Sequence, residues 1–313
     1  MPTPALIALD WGTSNLRASL LDASGQVLSH RSSPGGVMKV PAGEFSARLL
    51  QVCGDWLAQH AVPVIASGMV GSRQGWKEAP YLSCPAGLQE LAAALMEVEI
   101  EGAPGATRTL HIAPGLCCED AVGQVDVMRG EETQLLGSGL NQSGLCVLPG
   151  THSKWVVLGE QGGVIGFRTY MTGELFGVLT QHSILGRLMQ WPDSPQALDP
   201  AAFAAGLDLG RVAGDHLSHS LFAARTAGLM GRWSATQLPD FLSGILLGSE
   251  VASALSVLPE PREVALLGDE PLCARYALAL KAQGVASRVL AQEATTLGQF
   301  RMAQAAGLLA RTP

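Results

Sequence analysis

The chain has 313 residues, 47% of them hydrophobic and 15% charged, with 20 Lys+Arg against 27 Asp+Glu and a formal net charge of −7. It is long enough for two ordinary domains and apolar enough to bury sizeable cores, which excludes a disordered chain. An acidic balance with no basic patch also argues against a nucleic-acid partner.

No stretch reads as an export signal or a membrane span. Ala5–Leu9 is short and runs into Asp10, and the apolar stretch from Phe241 to Leu258 contains Glu250. The six cysteines show no Cys-x-x-Cys spacing, so they are expected to be reduced thiols in a cytoplasmic protein.

In chain order, residues 5–10, 15–22 and 26–32 read as strands separated by Gly12-Thr13-Ser14 and by Asp22-Ala-Ser-Gly25. A helix is predicted over 46–59, a buried strand over 62–70, a helix over 86–96, a loop over 98–108 and a strand over 109–116. "GEETQLLGSGL" (130–140) has the acidic first turn of a helix. "LCVLPGTHSKWVVLGEQGGVIGFRTY" (145–170) then repeats the opening pattern of strand, small-residue turn, strand, turn, strand. Gly12-Thr13 and Gly150-Thr151 hold the same place in the two units, a repeat of pattern rather than of identity. Helices are predicted near 172–190, over 201–230 and over 236–258, with a Pro/Asp-rich loop at 191–200. Strand, glycine turn and helix follow over 263–284, and a small-residue helix over 295–310.

A Gly-Thr-Ser-Asn turn presents several backbone N–H groups with little side chain in the way, and so suits an anion. Asp10 just before it would repel a phosphate unless a Mg²⁺ stood between them. Two such hairpins could grip a nucleotide's phosphates. Read alone, residues 10–17 are equally a plain hairpin with a solvated acid. "PGTHSKW" (149–155) adds Thr151, His152 and Lys154 beside the second turn.

"DWGTSNLR", "GEETQLLG" and "PGTHSKW", in that order, resemble the sugar-kinase members of the actin/hexokinase/Hsp70 ATPase superfamily. "SGMVGSRQGWKEAPYLSCP" (67–85), "VMRGEETQL" (127–135), "FRTYMTGEL" (167–175) and "FLSGILLGSEVAS" (241–253) bring the match closer to the 2-dehydro-3-deoxygalactonokinase family, over nearly the whole chain. The resemblance implies transfer of the ATP γ-phosphate to the 6-hydroxyl of 2-dehydro-3-deoxy-D-galactonate in galactonate catabolism. Asp10 would then serve Mg²⁺, Gly12, Thr13, Ser14 and Asn15 the first phosphate turn, and Gly150 and Thr151 the second. Related kinases carry Gly-Asp-Gln where this chain has Gly130-Glu131-Glu132. The catalytic base therefore falls on Glu131, with Glu132 a competitor and Asp10 a third choice. Gly268, in "LLGDEPLCARY" (266–276), resembles the adenine-side element, although Asp269 replaces a usual glycine.

A sugar acid calls for an arginine on its carboxylate, and Arg17, Arg73, Arg129 and Arg168 are the candidates. The loop after "VIASGMV" is implied to meet the sugar, which singles out Gly68, Met69, Arg73, Trp76 and Lys77, with Tyr81 nearby. Trp76 could cover the carbon chain or pack in the core. His152 could touch phosphate or be structural.

The expected fold is therefore two ribonuclease-H-like (actin/hexokinase-type) α/β domains. They would span 1–141, with sugar-acid elements, and 142–313, with nucleotide elements. Each would be a mixed five-stranded sheet flanked by helices, around a central cleft. ATP and Mg²⁺ are the expected cofactors, a sugar acid the substrate, and a homodimer is conceivable. The alternatives are a kinase for another 2-keto-3-deoxy sugar acid or a neutral sugar, and a non-catalytic nucleotide-dependent sugar sensor.

Overall fold

A computed structural model describes residues 2–101, 107–191, 197–259, 263–290 and 294–309. In chain order its elements are β1 (Pro4–Trp11), β2 (Leu16–Asp22), β3 (Val27–Ser33), α1 (Phe45–Gln59), β4 (Val64–Ser67), β5 (Tyr81–Ser83), α2 (Leu88–Ala93), β6 (Met96–Glu101), β7 (Thr107–Ile112), β8 (Gly115–Glu119), β9 (Val125–Met128) and α3 (Glu131–Gly137). They continue with β10 (Gly144–Leu148), β11 (Ser153–Leu158), β12 (Val164–Tyr170), α4 (Thr172–His182), α5 (Pro200–Arg211), α6 (Leu217–Leu229), α7 (Leu238–Val257), β13 (Glu263–Leu266), α8 (Glu270–Ala282), β14 (Ala286–Val289) and α9 (Ala294–Ala305).

Two compact units result. The first takes residues 1–143, 158–166 and 291–313, and the second takes 144–157 and 167–290. The chain therefore returns twice to its first unit rather than dividing at a single cut near 141.

The first unit is built on a six-stranded sheet in the order β3-β2-β1-β4-β7-β6. β1, β2 and β3 form an antiparallel meander, and β4 and β7 continue it in parallel with β1. Leu6 to Leu9 of β1 are all buried, because a central strand is covered on both faces. Burial of each such Leu or Ile contributes about 1.5–3 kcal/mol. Trp11 and Leu16 join Phe45, Leu49 and Trp56 of α1 in the core beneath the sheet.

The sixth strand corrects the expected five. "MEVEIE" places Val98 and Ile100 inward and Glu97 and Glu99 outward, and pairs antiparallel with β7. The expected loop at 98–108 is therefore strand at both ends; residues 102–106 lie outside the described residues. The predicted helix over 86–96 is only α2, since Met96 already belongs to β6. A further sheet, β5-β8-β9, was not foreseen.

The second unit carries a five-stranded sheet in the order β12-β11-β10-β13-β14, with β10, β13 and β14 parallel. The order of the first sheet's leading strands is thus repeated. Its core joins Trp155, Phe203, Val251, Leu266 and Tyr276. Among the described residues α7 alone is long and apolar enough to cross a membrane by length and composition, and its apolar residues fill the unit's two cores. The predicted helix near 172–190 ends at His182. The predicted run over 201–230 divides into α5 and α6 around Gly214, whose φ of +47° a continuous α-helix cannot hold. Of the predicted loop at 191–200, residues 192–196 lie outside the described residues.

Candidate active site

The first turn follows from strand register. Asp10 faces Arg17 and Trp11 faces Leu16, so residues 12–15 must close the hairpin. The Gly12 N–H donates to the Asn15 carbonyl at 3.0 Å. The carbonyls of Gly12, Thr13 and Ser14 accept from Val37, Met38 and Gly36 at 2.9, 3.2 and 3.0 Å. A Cβ on Gly36 would stand 2.2 Å from the Ser14 carbonyl carbon, so a glycine is required for this backing segment to reach the turn. The N–H groups of Thr13, Ser14 and Asn15 take no part in these bonds, and all three residues are exposed. The turn is thus held by its acceptors and presents its donors.

Asp10 Oδ2 accepts from Arg17 Nη1 at 3.1 Å. Burial pushes the Asp10 carboxyl above its usual range, and Arg17 only partly reverses this. Its Oδ1 lies toward Gly68, where a Cβ would come within 3.7 Å of it. Among the described residues no group of three or more His, Cys, Asp or Glu could hold a metal. One carboxylate beside a turn of open donors fits a Mg²⁺ held mainly by nucleotide phosphate and water, since that ion keeps several waters.

β4 ends at Ser67, and Gly68 turns the chain with φ of +91° into the short helical turn Met69–Gly71. A Cβ on Gly68 would stand 3.0 Å from the Trp11 carbonyl. Gly130, with φ of +107°, opens α3, and a Cβ there would stand 3.3 Å from the Gly68 Cα. Two glycines thus bring the start of α3 against the end of β4.

The paired glutamates differ. Glu132 is 1% exposed; its Oε2 accepts from the Gly130 N–H at 2.6 Å and its Oε1 from the Thr133 hydroxyl at 2.8 Å. Burial, reinforced by the Glu131 charge, pushes its pKa up to about 7. Glu131 is half-buried, and its Oε2 accepts from the Arg129 N–H at 3.1 Å.

Arg129 is 8% exposed. Its Nη2 donates to the Ala79 carbonyl at 2.8 Å, and its guanidinium carbon lies 4.2 Å from the centre of the Tyr81 ring. Its Nε and Nη1 are buried without a hydrogen-bond partner. Arg73 is exposed, and Lys77 Nζ donates to the Glu97 carbonyl on β6 at 3.0 Å. Trp76 sits 6.1 Å from Trp11 and 6.0 Å from Phe45, ring centre to ring centre, so packing is the alternative its contacts describe. Met69 also packs on this core.

In the second unit, residues 149–152 join β10 to β11. The Glu174 N–H donates to the Thr151 carbonyl at 2.9 Å, and a Cβ on Gly173 would stand 2.4 Å from the Gly150 carbonyl oxygen. The start of α4 thus backs this turn as Gly36 backs the first. His152 Nε2 donates to the Glu174 carboxylate. Lys154 is only 4% exposed, and its Nζ donates to the His152 carbonyl at 3.2 Å. Gly268 lies behind the turn, where a Cβ would stand 3.3 Å from the Pro149 carbonyl. Arg168 is half-buried on β12.

Behind the turn Glu250 is buried, and Ser153, Trp155 and Tyr276 donate to its carboxylate at 2.7–2.9 Å. Burial raises its pKa despite those donors. Beside the turn is a cavity of about 200 Å³, lined by Gly150, Thr172, Phe176, Ser243, Leu272 and Arg275 among others. Arg275 pairs with Asp240 at 2.7 Å there. The stretch "LLGDEPLCARY", which holds Gly268, also contributes to this cavity. Its lining residues Leu272, Arg275 and Tyr276 stand about one and two helical turns beyond Gly268, where helix spacing rather than a glycine is the available signal.

Both units open with a strand meander that turns on glycine and threonine and continues in parallel strands, the arrangement of the actin/hexokinase-type α/β fold. A family model described as 2-keto-3-deoxy-galactonokinase matches residues 10–302, and the chain belongs to that family. It is 39% identical to the 2-dehydro-3-deoxygalactonokinase of Escherichia coli (strain K12), over 90% of this chain and 91% of that protein. A relative from Rhizobium meliloti (strain 1021), provisionally given the same activity, is 37% identical over 95% of this chain and 96% of its own. A crystal structure from Sinorhizobium meliloti, also provisionally assigned as 2-dehydro-3-deoxygalactonokinase, superposes with a TM-score of 0.85 at 36% identity, covering 96% of this chain and 98% of that one.

Proposed function

We propose that this protein transfers the γ-phosphoryl group of ATP to the 6-hydroxyl of 2-dehydro-3-deoxy-D-galactonate. The observation that carries the reading is the contact of Gly68 with Gly130, which brings the loop implied to meet the sugar against the start of the helix bearing Glu131.

Glu131 is the base in this reading. Its carboxylate orients the hydroxyl and accepts the proton as the new O–P bond forms and the bond from Pγ to the β-phosphate oxygen breaks, releasing ADP. Glu132 is unsuited to that role, because both its oxygens are engaged and it is closed to solvent. It braces the first turn of α3 instead. The open donors of residues 13–15 and the Gly150-Thr151 turn take phosphate oxygens, and the cavity beside Gly150 takes the nucleoside end. At about 200 Å³ it falls below the ~300–1,000 Å³ of drug-sized sites and suits a single base. Asp10 is the residue that would hold Mg²⁺, which would supply charge neutralisation at the transferring phosphate.

Among the four arginines, Arg129 is assigned to the substrate carboxylate. Arg17 is committed to Asp10, Arg73 is exposed and Arg168 belongs to the second unit. Arg129 keeps two buried N–H-bearing nitrogens without partners, an expense that an incoming carboxylate removes. Tyr81, 40% exposed over the guanidinium, is the side that yields. The six thiols, all free, suit a cytoplasmic location.

The test is a panel of 2-keto-3-deoxy sugar acids, other sugar acids and neutral sugars, each with ATP and purified protein. Phosphorylation of the galactonate-derived acid in preference to the rest is expected; acceptance of neutral sugars alone would overturn the reading.

A further inference from the structure

Gln299 on α9 is 1% exposed, and its single amide nitrogen donates twice, to the Leu9 carbonyl at 2.6 Å and to Ser67 Oγ at 2.8 Å. Leu9 immediately precedes Asp10, and Ser67 immediately precedes Gly68. Ser67 is also the residue paired with Asp10 across β1 and β4. One side chain from the far end of the chain therefore holds β1 near its end, at Leu9, and β4 at its last residue, Ser67, the two strands from which the site departs. α9 is itself seated tightly, since a Cβ on Gly298 would stand 1.9 Å from the Thr133 carbonyl, two residues beyond Glu131.

Stability alone does not explain an amide there. The two hydrogen bonds it donates largely offset the cost of burying it. A leucine of similar size would fill the same space, but it would take this donor from the buried Leu9 carbonyl and Ser67 hydroxyl. What leucine lacks is the ability to hold the Leu9 carbonyl and the Ser67 hydroxyl at a fixed spacing.

We infer that Gln299 is a positioning residue, which sets Asp10 and the Gly68–Gly130 contact in register for phosphoryl transfer; the inference rests on the kinase reading above. A misplacement near 1 Å can cost about 100-fold in rate.

The test compares Gln299→Leu, Ser67→Ala and the double variant with the parent. It measures kcat, each KM, Tm, and calorimetric binding of a non-hydrolysable ATP analogue with and without Mg²⁺. Gln299→Leu is expected to lower kcat about 10–100-fold, to keep Tm within a few degrees and to weaken the Mg²⁺-dependent part of analogue binding at least threefold. Ser67→Ala is expected to lower kcat by less, and the double variant to match Gln299→Leu, because Ser67 acts through the same amide. Unchanged kcat and Mg²⁺-dependent binding in both single variants, or losses that only follow Tm, would overturn the inference. Should Gln299→Leu fail to fold, Ser67→Ala decides alone. Should the parent not phosphorylate the sugar acid, the kinase reading fails while the binding measurement still tests Gln299.

Discussion

Gly130 and Gly68 stand so close that a methyl group on the first would lie 3.3 Å from the Cα of the second, and both have positive φ. Gly130→Ala therefore meets two costs, left-handed strain of about 1 kcal/mol or more and a backbone that must recede. The start of α3 moves away from the sugar loop. A fall in kcat/KM of about 100-fold with Tm lowered by several degrees is expected from steady-state kinetics and thermal melts. Full activity would separate Glu131 from the sugar loop.

The meander, the two Gly-Thr turns and the acidic start of α3 were legible because each is local: a turn residue, a period of two, a charge in a first turn. β6 was equally local, since "MEVEIE" alternates cleanly, yet the proline and glycines that follow it drew the whole stretch into a loop. Gln299 was not legible. Its partners are 290 and 232 positions away, and the sequence around it shows only a helix with no turn or motif to single the residue out. The unequal burial of Glu131 and Glu132 was hidden for a similar reason, because which of two adjacent acids is buried is set by tertiary packing.

Glu131→Gln keeps size and removes the proton acceptor. A drop in kcat of about 10²–10⁴-fold is expected, with KM for ATP within a few-fold of the parent. Initial-rate measurements over both substrates check this. Turnover near the parent's would place the base elsewhere.

Glu132 makes a prediction about pH. Its folded pKa of about 7 stands above its ordinary value of 4.5, so the folded state holds a proton that the unfolded chain has already lost between those pH values. Stability contributed by this group is full below about pH 4.5, declines as pH rises, and is gone above about pH 7; the penalty there is about 3 kcal/mol. Glu132→Gln carries no such titration. Denaturant melts are expected to show the variant gaining on the parent from pH 5 to pH 8, and a constant difference would contradict the buried acid.

Arg129→Ala should act on one substrate only. A charge-assisted contact to a carboxylate is worth about 1.5–3 kcal/mol, or about 10–100-fold in KM for the sugar acid, while KM for ATP stays put. Arg129→Lys keeps the charge but not the planar fork, and should recover only part of that loss. Equal effects on both KM values would point to a structural role through the Ala79 carbonyl instead.

Gly173→Ala sets two effects against each other in the second unit. Alanine favours a helix over glycine by about 1 kcal/mol. Against that, its Cβ would stand 2.4 Å from the Gly150 carbonyl oxygen and 2.9 Å from the Thr151 Cα. These are backbone atoms, so relief requires the turn itself to shift and the Glu174 N–H to loosen its bond to Thr151. The overlap outweighs the propensity gain because no side chain can rotate out of the way. A rise in KM for ATP of about 10-fold is expected, with KM for the sugar acid little changed. If Gly173→Ala instead raised Tm and left ATP binding intact, α4 would not be what supports the Gly150-Thr151 turn.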